Sequence, residues 1–324
     1  MNIKTPGKLI LSGEYAVIHG RPALVMAIPY FVETQLNSYP EPGVMLNGIY
    51  KTWETLLDLE TQLLHRYQSF IDHQIHIRQV LQSPEELCWF AIIHCLFQTH
   101  HVPSGRGVQL SLHTDIPIGC GMGSSAAVII NLMHAMSTYY ELNLSKTALY
   151  PLALTAEHLQ HGHSSGTDLK IVLEGGLRSF QRHHTRLLST IFPTLQLVHT
   201  GKPMHTTGEC VTQVNQRYPN QHPIWDDFEH CTRALINNID KPAIRENHRL
   251  LHTLGVVPNK VAQFIETIET QGGAAKICGA GSIGGDSAGI VMVLHDQDIT
   301  PLCNMFAYTP LTPIHEAACG SIVV

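Results

Sequence analysis

The chain has 324 residues, of which only 14% are charged, and a formal net charge of −6 with histidine neutral. That balance offers no basic field to nucleic acid or to an anionic membrane, and no apolar run nears the length of a membrane span, so neither is expected as a partner. The length suffices for two domains. The eight cysteines are scattered without zinc-site spacing, and no signal peptide precedes Pro6, which predicts reduced thiols in a cytoplasmic protein. The 22 histidines form no motif; His100-His101 and His183-His184 are the adjacent pairs.

Residues 8–14 read as a short strand with Lys8 and Glu14 at its ends, and residues 23–35 as a long apolar strand. Between them, 14–20 form a polar connection of the kind that carries functional residues. By local pattern alone Lys8 is an edge-strand lysine in solvent. Residues 38–51 suggest a turn-rich hairpin, and 54–70 and 85–101 place apolar residues at helical spacing. Val108, Leu110 and Leu112 then alternate with polar residues across 107–114, a half-buried strand that runs into a glycine loop.

That loop, Pro117-Ile118-Gly119-Cys120-Gly121-Met122-Gly123-Ser124-Ser125-Ala126, leads directly into an apolar helix. Glycines at alternate positions let successive backbone N–H groups turn inward, Ser124 or Ser125 falls where an N-cap is expected, and the helix dipole faces the same point. A phosphate uses all three features, and the alternative on local pattern is an ordinary glycine-rich turn capped by serine. No Gly-Lys-Ser/Thr follows, so this is not a Walker A loop. Cys120 and Cys278 read as small packing residues, with no base beside them in sequence.

Ser145 opens a second helix that carries Glu157, and Asp168 follows after His161-Gly162-His163-Ser164-Ser165-Gly166. Two such carboxylates suit metal binding on one and proton handling on the other. Local pattern alone favours the blander alternative, a solvated helix carboxylate and an aspartate capping 169–173. A strand at 177–181 precedes a polar stretch, 182–192, that marks a domain boundary by composition. Beyond it the expected elements are a strand at 194–198, helices at 208–217, 225–239, 242–254 and 258–270, strands at 274–278 and 288–294, and a final strand or two in 310–324. Gly279 to Gly284 matches G-x-G-x-x-G, but a strand follows instead of a helix, which excludes a dinucleotide fold.

The three glycine-bearing stretches at 5–20, 117–127 and 276–289 together resemble the galactokinase, homoserine kinase, mevalonate kinase and phosphomevalonate kinase (GHMP) superfamily, over nearly the whole chain. The resemblance implies an α+β, two-domain GHMP kinase fold: a ribosomal-protein-S5-domain-2-like N-terminal domain, 1–185, and a ferredoxin-like C-terminal domain, 186–324. Pro6-Gly7-Lys8 with Ser12-Gly13-Glu14, and Glu157 with His161-Gly162-x-x-Ser165-Gly166-x-Asp168, look most like the mevalonate kinase members. The implied activity is ATP-dependent phosphorylation of the mevalonate 5-hydroxyl. The implied catalytic residues are Asp168, on the substrate hydroxyl, and Lys8, on the transferring phosphoryl. Pro117, Gly119, Gly121, Met122, Gly123, Ser124, Ser125 and Ala126 would wrap the ATP phosphates, with Gly279, Ala280 and Gly281 closing from the second domain. Glu157 and a hydroxyl of Ser124 or Ser125 would hold Mg2+, and Glu14, Tyr15, His19, Ser165 and Gly166 would lie on the acceptor side.

Some residues depart from that pattern. Tyr15 stands where mevalonate kinases usually carry histidine, and Gly-Glu-Tyr-Ala-Val and Gly285-Asp286-Ser287-Ala288-Gly289 lean towards phosphomevalonate kinases, which is the alternative. A phosphorylated acceptor needs extra cations, and with 20 Lys plus Arg few are spare; Arg21, Arg178 and Lys202 are examples of candidates that sequence alone does not place. A non-catalytic metabolite sensor on the same fold is a second alternative, opposed by Lys8, Glu157 and Asp168 standing together. A homodimer is one option for the assembly.

Overall fold

The computed structural model describes residues 1–100, 105–182, 184–189 and 192–324. Strand β1 (Asn2–Ser12) pairs antiparallel with β2 (Ala23–Tyr39), whose residues 23–28 are all buried, as expected of an apolar run covered on both faces. β1 begins six residues before the expected strand. Pro6-Gly7 reads as a breaker in sequence, but a register shift between those two residues absorbs it without ending the ladder.

β3 (Gly43–Leu46) and β4 (Ile49–Thr52) form the expected hairpin, followed by helices α1 (Trp53–Ile71) and α2 (Pro84–Gln98) and strand β5 (Gly107–Thr114). α2 stops at Gln98, short of the expected 101, because Thr99 and His100 turn back onto the Leu96 and Phe97 carbonyls; His101 lies outside the described residues. α3 (Ser124–Tyr139), α4 (Lys146–His161) and α5 (Thr167–Glu174) come next, then β6 (Leu177–Gln181) and β7 (His184–Leu188). α2 and α3 are buried over most of their surfaces, α3 lying between the sheet and the other helices.

Strand β8 (Leu195–His199) opens a second layer with α6 (Thr207–Arg217), α7 (Ile224–Asn237), α8 (Lys241–Thr253), α9 (Asn259–Thr270), β9 (Ala274–Cys278), β10 (Ile290–Leu294), α10 (Thr300–Phe306) and β11 (Thr309–Ile314), after which β12 (Ile322–Val323) joins the first sheet. Its four strands run β11-β8-β10-β9, all antiparallel, which in their own order is the 4-1-3-2 arrangement of a ferredoxin-like sheet. The first sheet has eight strands, β12-β1-β2-β5-β3-β4 with β6 on β2 and β7 on β6, so the end of the chain returns to the edge at β1. Both layers together give the α+β architecture that the glycine motifs implied.

Three local expectations change. β7, within the stretch taken as a polar boundary, is the hairpin partner of β6, joined through Arg182 at φ 55; mostly exposed, it has no apolar face to announce it. His183 lies outside the described residues. α10 went unseen because seven residues with an early proline carry no readable period. β10 starts at Ile290 instead of 288, since Ala288 and Gly289 are bonded sideways to Thr200. Among the described residues no helix is long and apolar enough to cross a membrane.

Candidate active site

The glycine loop between β5 and α3 has Gly119, Gly121 and Gly123 at φ 74, 83 and 71, a left-handed conformation that a side chain would strain at all three alternate positions. Gly123, not a serine, is the N-cap of α3. Ser124 and Ser125 therefore sit inside the first turn, and neither hydroxyl has a hydrogen-bond partner among the described residues. The capping expectation is corrected, because the left-handed turn at Gly123 already starts the helix. Both hydroxyls remain free for a ligand at the positive end of the dipole.

Lys8 is drawn into this loop by the backbone. Its N–H donates to the Met122 carbonyl at 2.9 Å, and a methyl on Gly123 would stand 2.6 Å from Lys8 Cγ. The solvated edge-lysine alternative fails: the side chain is 5% exposed, and Nζ lies 3.0 Å from Asp168 Oδ2. Asp168 stands in the first turn of α5, whose N-cap is Gly166 at φ 68, and not at the cap itself. Lys8 thus bridges the N-termini of two helices, each started by a left-handed glycine, while the Asp168 side chain keeps 34% exposure.

Glu157 on α4 is buried, which also excludes the solvated alternative. Burial, reinforced by the Asp168 charge, pushes its carboxyl up to about 7. Its Oε2 accepts from Ser164 Oγ at 2.5 Å, and the same hydroxyl accepts the Gly166 N–H at 3.0 Å. Ser164 went unsingled in the sequence, though it lies inside the motif. It joins the helix carboxylate to the turn that starts α5, whereas Ser165 is occupied with Thr167. Gly166 faces the Tyr150 hydroxyl so closely that a methyl would stand 2.1 Å away. His161 belongs to the same neighbourhood: burial holds its imidazole below the usual value, against the opposing pull of Asp168. Glu157 and the two serine hydroxyls are hard oxygen donors that could hold a magnesium ion, and among the described residues no group of three or more His, Cys, Asp or Glu side chains could hold one.

The other expected residues divide. Gly279, at φ 95 after β9, stands against Gly121: a methyl on it would lie 3.6 Å from Gly121 Cα, and one on Gly121 would lie 3.2 Å from the Cys278 carbonyl oxygen. The two glycine loops therefore meet directly. Ala280 and Gly281 have contacts outside the first loop. The Ala280 carbonyl accepts the buried Tyr15 hydroxyl, and Gly281 packs on the Val256 carbonyl. Glu14 is sealed in an ion pair with Lys276 of β9, at 2% and 0% side-chain exposure. His19 stacks on Trp225 with ring centroids 4.1 Å apart and bonds Asn215 and Asn220, each at 3.1 Å. None of the recorded partners of Glu14, Tyr15 or His19 is Lys8, Glu157 or Asp168.

Residues 88–176, which run from α2 through α5, match the GHMP kinases N terminal domain. The mevalonate kinase of Pyrococcus furiosus is 28% identical over 299 residues, spanning 86% of each chain. Among solved structures, the Methanococcus jannaschii mevalonate kinase is similar with a TM-score of 0.80 at 22% identity, covering 97% of this chain and 98% of that one. A Streptococcus pneumoniae phosphomevalonate kinase, in complex with phosphomevalonate and AMPPNP, has a TM-score of 0.68 at 18% identity, covering 97% and 99%. These structural likenesses show the shared fold.

Proposed function

We propose that this chain, a GHMP kinase most like the mevalonate kinases, transfers the γ-phosphoryl group of ATP to the 5-hydroxyl of mevalonate. The observation that carries the reading is the Lys8–Asp168 pair, 3.0 Å apart between two glycine-started helix N-termini, beside a glycine loop whose serine hydroxyls have no hydrogen-bond partner among the described residues. Phosphoryl transfer asks a protein mainly to align oxygens and to offset charge on the transferring group. In this reading the loop N–H groups and the first turn of α3 take the phosphate chain. Asp168, the more exposed partner, orients the acceptor hydroxyl and takes its proton. Lys8 holds the Asp168 carboxylate in place and offsets charge at the transferring oxygens.

Magnesium fits the donor set. Glu157 offers Oε1 while Oε2 is held by Ser164, Ser124 and Ser125 offer hydroxyls, and phosphate and water oxygens would supply the remaining ligands. When bound, the ion neutralises phosphate charge, and its presence favours the ionised form of Glu157.

The acceptor follows from where the cations are. Arg21 is held by Asp226 and Glu229, and Arg178 by Glu174 and the Gly175 carbonyl. Tyr15, the departure that leaned towards a phosphorylated acceptor, is turned to Ala280. Two of the three cations named from the sequence are thus engaged, which favours an acceptor without a phosphate. The sensor alternative is opposed by the intact Lys8–Asp168 geometry. The test is ADP release by the purified chain with magnesium and ATP, measured separately with mevalonate and with 5-phosphomevalonate. Turnover with mevalonate alone is expected; turnover with 5-phosphomevalonate alone, or with neither, contradicts the proposal.

A further inference from the structure

Lys202, the third of the spare cations, has no hydrogen-bond or ion-pair partner among the described residues. Its side chain lies along the phosphate loop: a methyl on Gly119 would stand 3.5 Å from Lys202 Cε and 4.0 Å from Cδ and Cγ. The turn that carries it is fixed on both sides. At the end of β8, His199 Nε2 sits 3.0 Å from Cys120 Sγ in the middle of the phosphate loop, so the base absent from the sequence around Cys120 arrives from the second sheet. Thr200 donates to the Gly289 carbonyl through both N–H and Oγ1, each at 2.9 Å, and its Oγ1 accepts the Ala288 N–H at 2.9 Å. Ser287 Oγ donates to the Thr200 carbonyl at 2.8 Å, and the Gly289 N–H to the Gly201 carbonyl at 3.2 Å. Gly201, at φ 111, has no room for a methyl beside Ser287 Oγ, 2.6 Å away. Gly289 in turn backs onto the Cys120 carbonyl, where a methyl would come within 2.8 Å. The second layer thus forms a shelf on the loop, and the shelf ends in the exposed Lys202, whose ammonium has no ion-pair partner among the described residues.

We propose that Lys202 binds the phosphate chain of the nucleotide, closing on the Gly119 end of the loop while Lys8 serves the Gly123 end. This rests on the kinase reading above. The loop N–H groups are neutral donors, and a nucleoside triphosphate carries more negative charge than one lysine and one divalent cation neutralise. A second cation at the loop answers that excess, and a charge-assisted contact to phosphate is among the stronger hydrogen bonds. Lys202 is a binding residue here and takes no part in proton transfer.

The experiment compares Lys202→Met, which keeps the stem that covers Gly119, with Lys202→Arg, which keeps the charge. Steady-state rates are measured with magnesium, ATP and mevalonate, and equilibrium binding is measured for ATP and for adenosine. For Lys202→Met, KM and Kd for ATP are expected to rise about tenfold, equivalent to 1.4 kcal/mol. Its kcat, its KM for mevalonate and its adenosine affinity should stay near wild type, and Lys202→Arg should recover most of the loss. Unchanged ATP affinity in Lys202→Met overturns the proposal, as does an equal loss in Lys202→Arg, which would mark a packing role. A loss confined to the KM of the acceptor also overturns it. If the wild-type chain fails to phosphorylate mevalonate, the kinase reading falls instead, while ATP and adenosine binding still decide the role of Lys202.

Discussion

Among the described residues two lysines are buried, Lys8 of β1 and Lys276 of β9, and the carboxylate pairs they make differ in one respect. Lys8–Asp168 leaves its carboxylate 34% exposed at the mouths of two helices, whereas Lys276–Glu14 is sealed at 0% and 2%. A half-open pair can exchange its partner for a substrate group. A sealed pair cannot do so without leaving a charge stranded, and its loss is felt by the whole fold. Around Glu14 the sealing is general: Ser12 bonds Thr232 at 2.7 Å and accepts from Asn247 at 3.0 Å, joining β1 to α7 and α8. In the proposed reading the same chemistry serves turnover at Lys8–Asp168, while at Lys276–Glu14 it joins the two layers.

The largest expected effect breaks the open pair. Asp168→Asn should lower kcat by roughly 10²- to 10⁴-fold while ATP affinity and the unfolding midpoint change little, because the variant keeps the size and removes the proton acceptor. Near-normal turnover would mean that this pair, too, is structural. Glu14→Gln should do the reverse. It leaves Lys276 as an uncompensated buried charge, at a cost of about 3–5 kcal/mol in denaturant unfolding, and pairing it with Lys276→Met should recover much of that. A Glu14→Gln protein of normal stability with a raised KM for the acceptor would return Glu14 to the substrate side.

A subtler contrast lies in pH. Because the folded protein holds the Glu157 proton up to about 7, against an ordinary value of 4.5, the folded state binds that proton more tightly than the unfolded chain does. Its stabilising contribution is therefore whole below the ordinary carboxylate range and is lost as pH rises from 4.5 to about 7. Metal-free protein should lose melting temperature across that window, Glu157→Gln should flatten the loss, and the same variant should need more magnesium for turnover. An unchanged magnesium titration would make Glu157 structural. The smallest effect is expected from Tyr15→Phe, which removes a hydroxyl bonded to the Ala280 carbonyl and to the Cys210 thiol and should cost about 1 kcal/mol of stability with the acceptor KM unmoved.

The sequence showed most of this fold wherever apolar periodicity ran long enough, as in β2, α3 and α9. It missed β7 and α10, which are too exposed or too short to carry a period. The glycine loop between β5 and α3 was legible because glycines at alternate positions ahead of an apolar helix stand out in sequence. Lys8, Glu157 and Asp168 were not legible locally, since what distinguishes them is burial and mutual approach across the fold, and only the resemblance to a family singled them out. Ser164, which holds Glu157, and His199, which meets Cys120, were invisible for the same reason: each is defined by a partner rather than by a pattern.

The central claim is that this site phosphorylates a primary alcohol on mevalonate, and the most direct test is the phosphorus NMR spectrum of the product formed from ATP and mevalonate. The account predicts a new phosphomonoester coupled to the two protons of the C5 methylene, growing in step with ADP. ADP with free inorganic phosphate alone, or a phosphoryl group without that coupling, would contradict it.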